Sequence, residues 1–249
     1  MISFVERIKK VSVCIATFNG QQRIKRQLVS ILEQIGENDE IIISDDNSTD
    51  ETEYVIKEIC DKRISFFVNK GKKGPVGNFQ NALLMATGDY IFLADQDDVW
   101  LPNKLVVMTK LLEKYDLVLS DCIVVDDQLN TIFPSFFKVR GSRKGLAKNI
   151  VKNSYMGCCM AFRQTVISHV LPFPSRIHMH DWWIGLVIEL KGKVFFCETP
   201  LILYVRHGNN ASPTGERSYS FTHKLYNRLT IVGALLSRLV YGISNNSNV

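Results

Sequence analysis

Apolar and polar positions along this chain keep two different periods, and the switch between them recurs through the first hundred or so residues. "VSVCIATF", Val11 to Phe18, is a short β-branched apolar run ending at Asn19-Gly20, which predicts a buried strand with a turn at its carboxyl end. In "QQRIKRQLVSILEQI", Ile24, Leu28, Ile31, Leu32 and Ile35 fall at helical spacing, and Gly36 closes the helix. Glu40 to Ser44 predicts a second strand, breaking into the acidic turn "SDDNSTD". "ETEYVIKEIC" follows as a helix with an acidic start. Ile64 to Asn69 is a third strand, a Gly-rich loop leads into a helix from Val76 to Ala86, and Tyr90 to Ala94 is a fourth strand. Short apolar strands alternating with amphipathic helices imply a parallel sheet covered on both faces.

Beyond Leu105 the pattern is less regular. "KLVVMTKLLEKY" predicts a helix, while "DLVLSDCIVVDD", "YMGCCMAFR" and "KVFFCETPLILYVR" predict strands, with the helical "DWWIGLVIEL" between the last two. The basic stretch "FKVRGSRKGLAKNIVKN" reads as a mobile loop beside a cleft. From Arg217 onward the chain carries Arg217, Lys224, Arg228 and Arg238 and no acidic residue. Leu225, Leu229, Val232, Leu236, Leu239 and Ile243 recur there at helical spacing, and Ile231, Leu235 and Val240 widen the stripe. Arg238 and the polar residues argue against a membrane span, which needs about 20 apolar residues in a row. A basic amphipathic helix on an anionic bilayer surface fits the pattern, and packing on the rest of the chain or on a second subunit is the alternative.

Composition narrows the classes. At 249 residues, with 46% hydrophobic and 22% charged residues, the chain is globular rather than disordered. A net charge of +5 suits a phosphate-bearing ligand or an anionic membrane. It is too weak for nucleic acid, and no dense Lys/Arg cluster interleaved with aromatics occurs. The six cysteines are scattered without CxxC spacing, which excludes the usual zinc sites and fits buried thiols in a reduced cytosol. Glu6, Arg7, Lys9 and Lys10 interrupt the N-terminus, so no signal-peptide core is seen and a cytoplasmic location is expected.

The candidate chemistry gathers at strand ends, where sheets of this kind bind ligands. Thr17 and Asn19 follow the first strand, Asp45 and Asp46 the second, and Asp95, Gln96, Asp97 and Asp98 the fourth. Three carboxylates within four residues repel one another unless a cation sits among them. Mg²⁺ or Mn²⁺ takes such oxygen ligands together with a substrate diphosphate. Asp46 can accept a hydrogen bond from the imide N–H of uracil or thymine. Each motif alone also fits turn and capping chemistry.

Jointly the motifs are more specific. "VSVCIATFNG", "IIISDDNSTDET", "GPVGNFQNAL" and "YIFLADQDDVW", in this order from Val11 to about Leu105, resemble the nucleotide-binding half of glycosyltransferase family 2. "HDWW" (His180 to Trp183) and "YVRHGNNAS" (Tyr204 to Ser212) resemble the acceptor half of bacterial members, including rhamnosyltransferase-like enzymes that build O-antigens and capsules. The resemblance implies the α/β GT-A fold, a Rossmann-like, mainly parallel mixed sheet flanked by helices. The glycosyltransferase domain would span residues 10–215, divided near 105, with the amphipathic tail over 216–249. It implies that Thr17, Asn19 and Asp46 hold the base and ribose, with Asn78 in the same pocket. Asp95 and Gln96 would face ribose and metal, Asp97 would be the principal metal ligand, and His207 would complete the metal shell. Asp181 matches the catalytic base, with Trp182 and Trp183 expected to pack on sugar rings. "GPVGNFQNAL" lacks the Arg of many relatives, so no diphosphate contact is assigned there. The expected activity is inverting, metal-dependent transfer from a UDP- or dTDP-sugar to a lipid-carried surface glycan at the inner face of the cytoplasmic membrane. The alternative is a non-catalytic nucleotide-sugar-binding protein. A receiver domain is too short, and a haloacid-dehalogenase-like phosphatase would carry its D-x-D on the first strand.

Overall fold

The computed structural model describes residues 9–207 and 220–240. Residues 208–212 of the late motif, and Arg217 and Ile243 of the tail stripe, lie outside them. The first hundred residues follow the expected alternation: β1 (Val11–Thr17), α1 (Ile24–Leu32), β2 (Glu40–Asp45), α2 (Thr52–Glu58), β3 (Ile64–Val68), α3 (Pro75–Met85) and β4 (Tyr90–Asp95). Next come β5 (Val99–Trp100), α4 (Lys104–Leu112), β6 (Leu117–Val125), β7 (Thr131–Phe133), α5 (Phe136–Arg140) and α6 (Leu146–Val151). The chain ends with β8 (Met160–Arg163), α7 (Ile167–Val170), α8 (His180–Lys191), β9 (Val194–Val205) and α9 (Phe221–Val240).

The strands form one sheet in the order β3-β2-β1-β4-β8-β6-β9-β5, with β7 on β6. β1 to β4 are mutually parallel, whereas β8 is antiparallel to both β4 and β6, and β5 is antiparallel to β9. Period-two alternation splits the apolar runs between two layers. Val13, Ile15, Ile41, Ile43 and Phe92 join Ile24, Leu28 and Ile31 of α1 and Met108 and Leu112 of α4. Cys14, Ile42, Ile91 and Leu93 join Phe79 and Leu83 of α3 and Trp183, Ile184 and Val187 of α8. That two-sided burial is why these strands read as continuous apolar runs.

One connection sets the shape. β4 ends at Asp95 and β5 starts at Val99, yet three strands stand between them in the sheet. Four residues reach about 14 Å, less than the roughly 19 Å that four strand spacings would need in a flat sheet. The sheet therefore curls, and the acidic turn bridges its ends. Asp98 fixes the closure: its Oδ1 accepts the Val205 N–H at 3.0 Å.

Two expectations change. The basic stretch is not a loop but the two short helices α5 and α6. Ser135 caps α5 by accepting from the Lys138 N–H, and α6 packs against α8 and α9. The tail forms α9, and one face of it packs on the domain, with Ile231 and Leu235 buried in the core. Arg238 donates to the carbonyls of His169 (3.1 Å), Leu171 (3.0 Å) and Pro172 (2.5 Å), and lies 5.3 Å from the Trp183 ring. Leu225, Leu229, Leu236, Leu239 and Val240 remain exposed. Among the described residues no helix is long and apolar enough to cross a membrane.

Candidate functional site

The parallel register, with Thr17 opposite Asp45 and Ala16 opposite Asp95, brings the strand ends together. They open into a cleft of about 790 Å³ lined by Thr17, Asp46, Asn78, Asp95, Gln96, Asp97 and Asp181, among others. Asn19 does not line it. With φ at 49°, Asn19 instead ties two loops together: its N–H donates to Ser48 Oγ and its Oδ1 accepts from Thr49. The Thr17 hydroxyl is likewise engaged, donating to Asp45 Oδ1 at 2.8 Å.

Asp46 is buried at the mouth of α3, where its Oδ1 accepts from Asn69 Nδ2 (2.6 Å) and its Oδ2 from the Gly74 N–H (2.5 Å). Asn78 Nδ2 donates to the Thr17 carbonyl at 3.0 Å, while its buried Oδ1 has no protein partner. A buried acceptor without a donor is costly unless a ligand supplies one. Gln96 pairs its side-chain amide with the backbone of Phe18, accepting from its N–H (3.0 Å) and donating to its carbonyl (3.1 Å). Gly20 permits that approach, because a Cβ there would sit 2.4 Å from Gln96 Oε1.

Charge concentrates at the end of β4. Burial first, and then the charges of Asp97 and Asp181, push the Asp95 carboxyl well up. Asp98 is held up by burial and by Asp97 and Asp95. Asp97 Oδ2 lies 2.6 Å from His207 Nε2, just beyond β9. Carboxylates held up by one another's charge are groups that a divalent ion would relieve. Asp95 and Asp97 line the cleft and His207 reaches Asp97, and carboxylate oxygens with an imidazole nitrogen are donors that fit Mg²⁺ or Mn²⁺. Asp95, Asp98 and Cys158 also converge within 4.8 Å. In that second set Asp98 and Cys158 are buried, and the thiol suits softer metals.

Asp181 stands in the first turn of α8. Its Oδ1 accepts from the Trp182 N–H at 2.6 Å and its Oδ2 from the Gly157 N–H at 3.2 Å. Burial outweighs these bonds and pushes it up to about 7, where a carboxylate can act as a general base near neutral pH. The comparison with known families now decides the class, since the family model for glycosyl transferase family 2 matches residues 12–171. The chain belongs to glycosyltransferase family 2.

This family 2 chain is 27% identical over 180 residues to the Escherichia coli UDP-Glc:alpha-D-GlcNAc-diphosphoundecaprenol beta-1,3-glucosyltransferase WfgD, covering 72% of this chain and 69% of that protein. It is 39% identical over 119 residues to the Campylobacter jejuni GalNAc(5)-diNAcBac-PP-undecaprenol beta-1,3-glucosyltransferase, covering 46% of this chain but only 38% of that one. In fold it is similar to S. aureus TarS 1-349 in complex with UDP-GlcNAc, with a TM-score of 0.72 at 17% identity, over 92% of this chain and 66% of that one. The Pyrobaculum calidifontis mannosyltransferase PcManGT, in complex with GDP-Man and Mn2+, gives 0.61 at 17% identity, over 94% and 76%. At these identities the structural likeness is one of fold, the GT-A fold.

One expectation about the family 2 site is corrected. Trp182 and Trp183 do not face a sugar: both are buried, and their indole N–H groups donate to the carbonyls of Asn149 (2.8 Å) and Val170 (2.9 Å). Phe79, Phe136, Tyr155 and Tyr204 line the cleft instead. The structure also adds His180, which stacks on Phe79 at 4.1 Å and lines the cleft. Burial holds its imidazole down at about 3, and neither ring nitrogen has a protein partner. Its position beside Asp181 was the only sequence signal. Arg140 and Lys152 join the lining from the basic stretch.

Proposed function

We propose that the chain is an inverting, metal-dependent glycosyltransferase. It moves a hexosyl or deoxyhexosyl group from a UDP- or dTDP-sugar to a growing bacterial surface polysaccharide, an O-antigen or capsule precursor carried on a lipid. The observation that carries this is the placement of Asp181. Its carboxylate, held by the backbone N–H groups of Trp182 and Gly157 and pushed up to about 7, opens into the same cleft as the carboxylates of the β4 end. The diphosphoundecaprenol acceptors in the names of the two bacterial relatives support a lipid-linked acceptor.

Asp46 and the orphan Oδ1 of Asn78 receive the base and ribose, with Asp95 and Gln96 below. Asp97, Asp95 and His207 hold the divalent ion, which when bound offsets negative charge on the departing diphosphate. Asp181 removes the proton of the acceptor hydroxyl as its oxygen bonds to the anomeric carbon. The bond from that carbon to phosphate breaks on the opposite face, and the configuration inverts.

The donor base is testable directly. Asp46 accepting from an imide N–H favours uracil or thymine, so with Mn²⁺ UDP or dTDP should raise Tm more than GDP does. A nucleotide at a hundred times its Kd contributes about 2.7 kcal/mol, roughly 5–10 °C for a chain of this size. Larger protection by GDP refutes the base assignment, and no protection by any nucleotide removes the donor site altogether.

Membrane association is proposed for α9. Arg228 and Arg238 are used on the protein itself, so the exposed leucines, with Lys224, provide the bilayer contact on the anionic inner face. Leu229→Glu with Leu236→Glu changes only exposed positions and should abolish co-sedimentation with anionic liposomes. Equal sedimentation of this variant and the native chain would return α9 to a purely packing role.

A further inference from the structure

The cleft wall after β6 differs chemically from the strand-end wall. α5 and α6 each carry an exposed valine with a cation directly after it at their carboxyl ends, Val139 with Arg140 and Val151 with Lys152. Phe133, Val139, Arg140 and Lys152 line the cleft. Arg140 Nε donates to the Asn153 carbonyl at 3.2 Å, which places the guanidinium next to the segment that carries Lys152. Among the described residues its terminal nitrogens and the Lys152 ammonium have no hydrogen-bond partner, and neither residue makes an ion pair there.

The charges here are crowded, with several cations facing one carboxylate. Lys148 is held down by burial and then by the facing charges of Lys152, Arg143 and Arg140. Glu189, the carboxylate opposing them, is already committed. It accepts from Tyr155 Oη at 2.7 Å, from Asn149 Nδ2 at 3.3 Å and from the Gly145 N–H. Lys148, Lys152, Arg143 and Arg140 against Glu189 alone leave an excess of positive charge that suits an anion, and Arg in particular presents a fork that matches phosphate.

The donor's diphosphate already has a place at the β4 end, with the divalent ion. A second anion site flanked by exposed valines and a phenylalanine matches an anion joined to hydrocarbon. We propose that Arg140 and Lys152 bind the diphosphate of a lipid-linked acceptor, while Phe133, Val139 and Val151 take the first part of its chain. This rests on the lipid-linked acceptor proposed above. The acceptor sugar then lies between these cations and Asp181, its hydroxyl turned toward the base. Arg228 of α9 donates to the Val151 carbonyl at 3.0 Å, so the exposed leucines of α9 continue the apolar surface from that point.

The test is titration of farnesyl diphosphate into protein saturated with UDP and Mn²⁺, so that the donor pocket is filled. Farnesol and inorganic diphosphate are parallel arms. Farnesyl diphosphate should bind more tightly than either. Arg140→Gln with Lys152→Gln, at exposed helix ends, should weaken it by about 10–100-fold, the scale of losing charge-assisted hydrogen bonds, and leave farnesol unmoved. Val139→Ser with Val151→Ser should weaken farnesyl diphosphate but not inorganic diphosphate. Unchanged affinity in the Gln variant overturns the proposal. So does inorganic diphosphate binding as tightly as the lipid form, which marks a soluble-anion site, or farnesol binding as tightly, which marks an apolar groove alone. Failure of the functional reading shows separately, as absence of nucleotide protection in the thermal experiment.

Discussion

Asp181→Asn should reduce turnover by about two to four orders of magnitude, the scale of a lost general base, with donor affinity unchanged within about twofold. The same substitution should raise Tm at pH 8. Burial places the folded pKa of Asp181 near 7, above the roughly 3.9 of an unfolded Asp. The folded state therefore binds the proton more tightly, and the associated stability is present below about pH 4 and lost as pH rises through 7. Above that range the native protein keeps an uncomfortable charge in a dry site, and Asn removes it. The acid limb of kcat/KM in the native enzyme should share this midpoint, with activity rising as Asp181 loses its proton. Near-normal turnover in the Asn variant would leave Asp181 as a helix-start residue and assign the base to another group. A gain in stability together with a loss of rate is what distinguishes a functional carboxylate from a structural one.

Asp97→Ala should bring transfer down to background and erase the part of UDP affinity that depends on Mn²⁺. In excess chelator, native and variant proteins should bind UDP alike. The basis is geometric: Asp97 lies 2.6 Å from His207 and adds to the charge that holds Asp95 up, so its removal leaves His207 without that carboxylate and takes one oxygen donor from the cleft. Thermal unfolding should change much less than activity, because Asp98, not Asp97, holds the Val205 N–H. Transfer at the native rate in excess chelator would end the case for a metal-dependent enzyme.

Much of the first hundred residues was legible because their signals are local. A β-branched run buried on both faces and a helix with Leu28 and Ile31 on one side announce themselves within a few residues, and strand ends follow from where the runs stop. Asp46, Asp95 and Asp97 were visible as carboxylates at those ends. What depended on distant partners was not visible. Asn19 looks like a binding residue in sequence, but Ser48 accepts from its backbone N–H and the Thr49 N–H donates to its side-chain oxygen. Trp182 and Trp183 next to Asp181 suggest a sugar platform, yet helical geometry turns them toward Asn149 and Val170. The basic stretch looked like a loop because Gly141 and Gly145 punctuate it. Here they separate two helices, each too short to show a period. The tail's stripe was real, but its width concealed two faces, one for the core through Ile231 and Leu235 and one left outside.

The seam between β4 and β8 has a consequence for how such chains diversify. It is three residue pairs long, Tyr90 with Arg163, Ile91 with Phe162 and Phe92 with Ala161, and it is a ladder of main-chain groups. The Asp98 clamp on β9 likewise grips a backbone amide rather than a side chain. Neither junction reads the identity of the residues on α5, α6 or β7. Mutation or recombination in that wall can therefore change what Phe133, Val139, Arg140 and Lys152 present to the cleft while the strand ends that carry Asp46 and Asp95 keep their register.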